Sequence, residues 1–176
     1  MIIGKVFRGF IDGALSTLGI VIGASAASSS VIIAAGIGGA FANGISNVLS
    51  AFSAERAEQY NELRQIENAM VHKELKHSVV EDNIHQDTLR AGIIDGLATI
   101  VGGALPIIPY FWLASELAVI VSSTVVVLAI FVIGMHLGRV SRRSMLLYGA
   151  KMAVFCIVVA VVVHFIQAMI VPSQKM

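Results

Sequence analysis

Residues 117–137 read LAVIVSSTVVVLAIFVIGMHL, from Leu117 to Leu137 without one Asp, Glu, Lys or Arg. The hydrocarbon core of a bilayer is about 30 Å thick and takes roughly 20 apolar helical residues to cross, so this stretch predicts a transmembrane helix. Strands of a membrane barrel would alternate polar and apolar residues over about ten positions, and this run does not alternate. Extended back to Leu113 it gains one charge, Glu116. Four similar runs flank it, at about Phe10 to Ala27, Val31 to Ala54, Ala91 to Tyr110 and Leu146 to Val171. The chain as a whole is 57% hydrophobic and 13% charged, with a mean hydropathy of +0.86. That is too apolar for a soluble domain to hide in its own core. The reading is an all-α integral membrane protein of five transmembrane helices, with two in residues 1–54, three in 91–176 and a polar segment at 55–90.

Orientation follows from the basic residues, which are retained on the cytoplasmic side. Lys5 and Arg8 precede the first span; Arg56, Arg64, Lys73, Lys76 and Arg90 lie between the second and third; Arg139, Arg142, Arg143 and Lys151 lie between the fourth and fifth. Only Lys175 falls on the other side. The N-terminus and the 55–90 segment are therefore expected in the cytoplasm and the C-terminus outside. A carboxylate at Asp12 interrupts the place where a cleavable signal would have its apolar stretch, so no removal is expected. Cys156, inside the fifth span, reads as a small apolar residue.

The polar segment reads as helix. It has no Pro or Gly, and Leu63, Ile66 and Met70, then Leu75, Val79 and Ile84, recur at helical intervals. Two helices broken near His72 to His77 fit, the first continuous with the second span. Glu55, Glu58 and Glu62 fall on one stripe; Glu74, His77, Glu81 and His85 form another. Carboxylate and imidazole together suit a borderline divalent ion such as iron, manganese or zinc. A solvated charged face, with Arg56, Arg64, Lys73 and Lys76 interspersed, is the bland alternative.

A repeat is visible within the chain. Gly9, Asp12, Gly13, Ser16 and Gly19 align without gaps onto Gly92, Asp95, Gly96, Thr99 and Gly102. Both copies enter from the cytoplasmic side, which predicts a parallel two-helix repeat, spans one and two matching three and four, with the fifth helix appended. Glycines four apart, Gly9 with Gly13 and Gly92 with Gly96, share a helix face and admit another backbone, so Asp12 and Asp95 are expected to be held against protein. Small residues crowd the first two spans, and a self-associating pair is expected.

A carboxylate at membrane depth costs about 2.5 kcal/mol or more and marks a partner or a pathway. Asp12 and Asp95 are the candidates, with Asn43, Ser46, Asn47 and Ser50 of the second span as further lining. The competing account makes both acids first-turn residues that suit the helix dipole, Asp12 beside Arg8 and Asp95 beside Arg90.

Asp12-Gly13 in a Gly-rich first helix, Gly44-Ile45-Ser46 and Ser53-Ala54-Glu55 in the second, and Gly102-Gly103-Ala104-Leu105-Pro106-Ile107-Ile108-Pro109-Tyr110-Phe111 resemble the vacuolar iron transporter family along essentially the whole chain. Two prolines three apart at the end of a membrane helix make Pro106 and Pro109 the most specific part of that resemblance. The resemblance implies a five-helix homodimer, not an enzyme, that exchanges ferrous iron or manganese for protons and moves metal out of the cytosol between its subunits. No resident cofactor and no nucleic-acid partner are implied. Asp12 would be the intramembrane metal ligand and proton acceptor, and Glu55, Glu58, Glu62, Glu74 and Glu81 would belong to a metal-collecting insert. The chain departs from many relatives at Ser46-Asn47, where they carry Ser-Met, at Ala51, where a Glu is frequent, and in the shortness of the insert.

Overall fold

A computed structural model describes residues 2–69 and 79–170. Helix is the regular structure throughout, with no strand among the described residues. The elements are α1 (Ile2–Gly23), α2 (Ser29–Ala69), α3 (Val79–Ala104), a 3-10 turn (Ile108–Phe111), α4 (Ser115–Val140) and α5 (Met145–Ile170). Among the described residues, four helices are long and apolar enough to cross a membrane: α1, α2 over Ser29–Glu58, α4 and α5.

α2 runs through 41 residues, about 60 Å at 1.5 Å per residue, so its polar half extends beyond its apolar window. The expected continuity of the second span with the polar segment is present as far as Ala69. α3 is built the same way in reverse, polar from Val79 and apolar from Ala91. The break expected near His72 to His77 lies outside the described residues.

The third apolar run is not one helix. α3 ends at Ala104, and its apolar part of about 21 Å falls short of the bilayer core. Pro106 and Pro109 have no N–H to continue the ladder and disfavour helical geometry in the residues before them. The chain instead steps through short-range bonds, Leu105 N–H to Gly102, Ile107 N–H to Ala104 and Tyr110 N–H to Ile107. The carbonyl of Pro106, freed from the helix, accepts the Ser122 hydroxyl of α4 at 2.6 Å. A broken helix at membrane depth needs such a substitute donor or acceptor.

α1, α2 and α3 form the tightest part of the fold. A Cβ at Gly9 would strike the Asp95 carbonyl, one at Gly13 the Thr99 carbonyl and one at Gly102 the Phe10 carbonyl. Gly9 with Asp95, Gly13 with Thr99 and Thr17 with Gly103 rise together along both helices, so α1 and α3 run parallel with their backbones in contact. α2 runs antiparallel to α3: a Cβ at Gly92 would lie 2.9 Å from the Val48 carbonyl, and one at Gly96 2.6 Å from that of Gly44. α4 and α5 make an antiparallel hairpin, where a Cβ at Gly134 would lie 2.9 Å from Gly149. The hairpin docks on α1 through Ala14, Leu18 and Ile22 against Val126, Ile130 and Cys156, all buried. The wedge of Phe7 edge-on to His136, ring centres 5.2 Å apart, closes the same seam nearer the N-terminus of α1.

Candidate functional site: a carboxylate between two amides

Helical periodicity sets up the site. Arg8, Asp12 and Ser16 are spaced by four along α1, Asn43 and Asn47 by four along α2, and Asp95 and Thr99 by four along α3, so each set shares a face. Glycine contacts bring the three faces together. Asn47 Nδ2 donates to Asp12 Oδ2 at 2.7 Å and to Thr99 Oγ1 at 2.9 Å. Asn43 Nδ2 donates to the same Asp12 oxygen at 3.0 Å and to Ser16 Oγ at 2.8 Å. The Thr99 hydroxyl in turn donates to the Asp95 carbonyl at 2.9 Å, and that of Ser16 to the Asp12 carbonyl at 2.5 Å. Asp12 Oδ1 receives no hydrogen bond from the described residues and remains an open acceptor.

The two aspartates that the repeat aligns have opposite surroundings. Asp95 is buried, and Arg8 grips it with both ends of the guanidinium, Nε to Oδ1 at 3.2 Å and Nη2 to Oδ2 at 3.0 Å. Asp12 is exposed on the single chain. Both acids are held against protein, Asp95 enclosed in the α1–α3 seam and Asp12 bonded by Asn43 and Asn47 on one side. The Gly9–Gly13 face of α1 is taken by α3, and Asp12 projects from the neighbouring face, covered on one side only by α2. The expected ion pairs also change partners, since Arg8 bonds Asp95 across the α1–α3 seam. Nor is either acid a helix-entry residue: α1 begins at Ile2 and α3 at Val79, well beyond the first turn within which the dipole acts.

A cavity of about 320 Å³ opens beside the network, with Arg8, Asp12 and Asp95 on one wall and Asn47, Ser50, Ala51 and Ala54 of α2 on the other. Five of the expected residues thus gather in one place: Asp12, Asn47, Asp95 and Ser50 line the space and Asn43 bonds Asp12 from outside it. Ser46 does not join them; it is exposed on the next face of α2. Thr99 and Ser16 are members that sequence reasoning passed over, and Arg8 was expected only as a partner of Asp12. The aligned hydroxyls of the repeat were the available signal for the first two.

The polar half of α2 carries Glu58, which is exposed. Glu55 and Glu62 on α2, and Glu81 and His85 on α3, have side chains outside the described residues, and Glu74 and His77 lie outside them altogether. Among the described residues no three His, Cys, Asp or Glu side chains come together as a metal cluster.

Comparison with known proteins completes the picture. An uncharacterized protein of Methanocaldococcus jannaschii is 40% identical over 165 residues, spanning 92% of this chain and 86% of its own length. Residues 51–168, from the cavity wall of α2 to near the end of α5, match the VIT family. With apolar helices of spanning length and a match over most of its sequence, the chain is an integral membrane protein that belongs to the vacuolar iron transporter family.

Proposed function

We propose that this protein is a proton-coupled transporter that moves divalent metal, ferrous iron or manganese, out of the cytosol. Family membership supports metal-ion transport across a membrane; the cargo, direction and coupling are this reading's own. One observation carries it: a carboxylate at membrane depth, Asp12, is held by two amides through one oxygen, and its other oxygen is left open beside a polar cavity. Asp12 offers the ion an anionic oxygen when ionised and gives it up when protonated from the far side. Asn43 and Asn47 hold the carboxylate in place, and a half-turn of either amide about its last torsion would present its oxygen to the ion in place of its N–H. A purely structural membrane dimer, the rival account, has no use for a polar cavity at this carboxylate.

The reading includes a homodimer. An unpaired carboxylate facing lipid is costly, whereas a second copy laid over this face would enclose it. Ala35, Ala42, Ser46 and Ser53 are small, exposed on α2 and spaced by seven and four beside Asn43, a seam that suits close helix approach. Within each protomer the reading places the N-terminus and residues 55–90 in the cytosol, the latter collecting metal, and takes α1–α2 and α3–α4 as copies of one hairpin.

Protein reconstituted in liposomes under a pH gradient is expected to move ferrous iron or manganese and to carry protons the opposite way. Asp12→Asn keeps the shape and removes the charge, and should abolish the flux. Transport that survives this substitution would sink the mechanism.

A further inference from the structure

The cavity beside Asp12 is lined by two carboxylates and one guanidinium, Asp12, Asp95 and Arg8. If all three acted independently on an arriving cation, the site would be a dicarboxylate with a repelling neighbour. The geometry is different. Arg8 and Asp95 are joined in a two-pronged contact, with Asp95 3% exposed and Arg8 63% exposed. The carboxylate is thus sunk in the α1–α3 seam while the guanidinium caps it from the cavity side. A capped pair presents little net field, and the only charge among the cavity-lining residues that is left uncompensated is Asp12.

We infer that Arg8 is a positioning residue that sets the strength of the cation site, by neutralising Asp95 so that a divalent ion meets one net negative charge instead of two. This rests on the transport reading above. Conduction needs a site attractive enough to be entered and weak enough to be left. A divalent ion between two bare carboxylates would be held far more tightly than by one, because each carboxylate adds its own Coulomb attraction. The same pair also explains why two aspartates that the repeat aligns have diverged. Arg8 sits one turn before Asp12, and the residue aligned with it in the second copy is Ala91. Only the first copy has the arginine. It bonds across to the second copy's acid, which leaves its own helix's Asp12 available.

The test uses the full-length protein, purified in detergent for manganese titration calorimetry and reconstituted for flux. Arg8→Gln exposes the Asp95 charge and is expected to tighten manganese binding by about tenfold or more while lowering the maximal flux. Asp95→Asn removes the negative charge that offsets Arg8 at the cavity and is expected to weaken binding by a similar factor and raise the half-saturating concentration. The two together, Arg8→Gln with Asp95→Asn, should return affinity close to the unmodified value. A packing role alone would move both single variants in the same direction, and that result overturns the inference. Should Arg8→Gln fail to fold, Asp95→Asn decides, since unchanged or tighter manganese binding in it is equally fatal. If the unmodified protein neither binds nor moves manganese or ferrous iron, the transport reading itself fails; unmodified transport with same-direction shifts removes only the role of Arg8.

Discussion

Gly13→Ala places a single methyl group where α1 meets α3. The new Cβ would overlap the Thr99 carbonyl and lie 2.7 Å from its carbon and 2.9 Å from the Gly103 nitrogen. All three are backbone atoms, so no rotamer change relieves the overlap and the helices must part by on the order of 1 Å to restore van der Waals separation. Overpacking of this kind costs about 3 kcal/mol, at the upper end of the usual range, because backbone rather than side chain has to yield. Parting the helices also strains the Arg8–Asp95 contact, which spans the same seam. Against this stands a gain of up to ~1 kcal/mol from replacing helical Gly with Ala. The net loss is at least about 2 kcal/mol, and at ~2–4 °C per kcal/mol for a chain of this size it lowers the melting temperature by about 4–8 °C. Gly19→Ala, in the same helix, is the control. Its nearest neighbour, Val163 Cγ2, lies at 3.9 Å, an ordinary contact, so only the helical gain operates and the melting temperature should hold or rise. Thermal unfolding of the detergent-solubilised variants, followed by size-exclusion recovery or tryptophan fluorescence, reads both. Equal melting temperatures for the two would refute the reading of α1 and α3 as backbone-to-backbone neighbours.

Two further outcomes bear on the proposed assembly. Light scattering of the purified protein should give a protein mass of two chains, and a large residue on the small seam, Ala42→Trp or Ser46→Trp, should shift it to one; a monomeric unmodified protein removes the dimer. In calorimetry, an Asp12→Asn background should still take up manganese, cobalt or zinc through residues 55–90, with the heat reduced when Glu55, Glu58 and Glu62 are changed to Gln. No residual heat in that background would remove the collecting role.

Much of the helical content was legible in the chain, because a bilayer imposes length and apolarity on whatever crosses it, and runs such as Leu117 to Leu137 meet that demand with no tertiary information. The glycine pairs at Gly9 and Gly13, and at Gly92 and Gly96, were legible as contact faces for a similar reason, since spacing by four aligns them on any helix. What those faces touch was not. Spacing within one helix says nothing of the register between helices, so the pairing of Gly13 with the Thr99 carbonyl and of Gly96 with that of Gly44 appears only in the packed molecule.

The third apolar run shows the limit of composition most plainly. Its residues from Ala91 to Tyr110 have span-like apolarity, but Pro106 and Pro109 end the regular ladder, and the tertiary contact that makes this tolerable, Ser122 on the Pro106 carbonyl, comes from a different helix.

The candidate site divides along the same line. Sequence alone determined that Asp12 and Asp95 are costly acids inside apolar runs, that Asn43 and Asn47 share a face, and that the two acids occupy equivalent places in a repeat. Only the tertiary structure decided which acid is neutralised and which stays open. Arg8 was expected beside Asp12, its neighbour by one turn, yet it reaches across the seam to Asp95, because parallel packing on glycine brings the second carboxylate within bonding distance while Asp12 turns to the amides of α2. The choice between two nearly equivalent partners depends on inter-helix register, a property that no single helix carries.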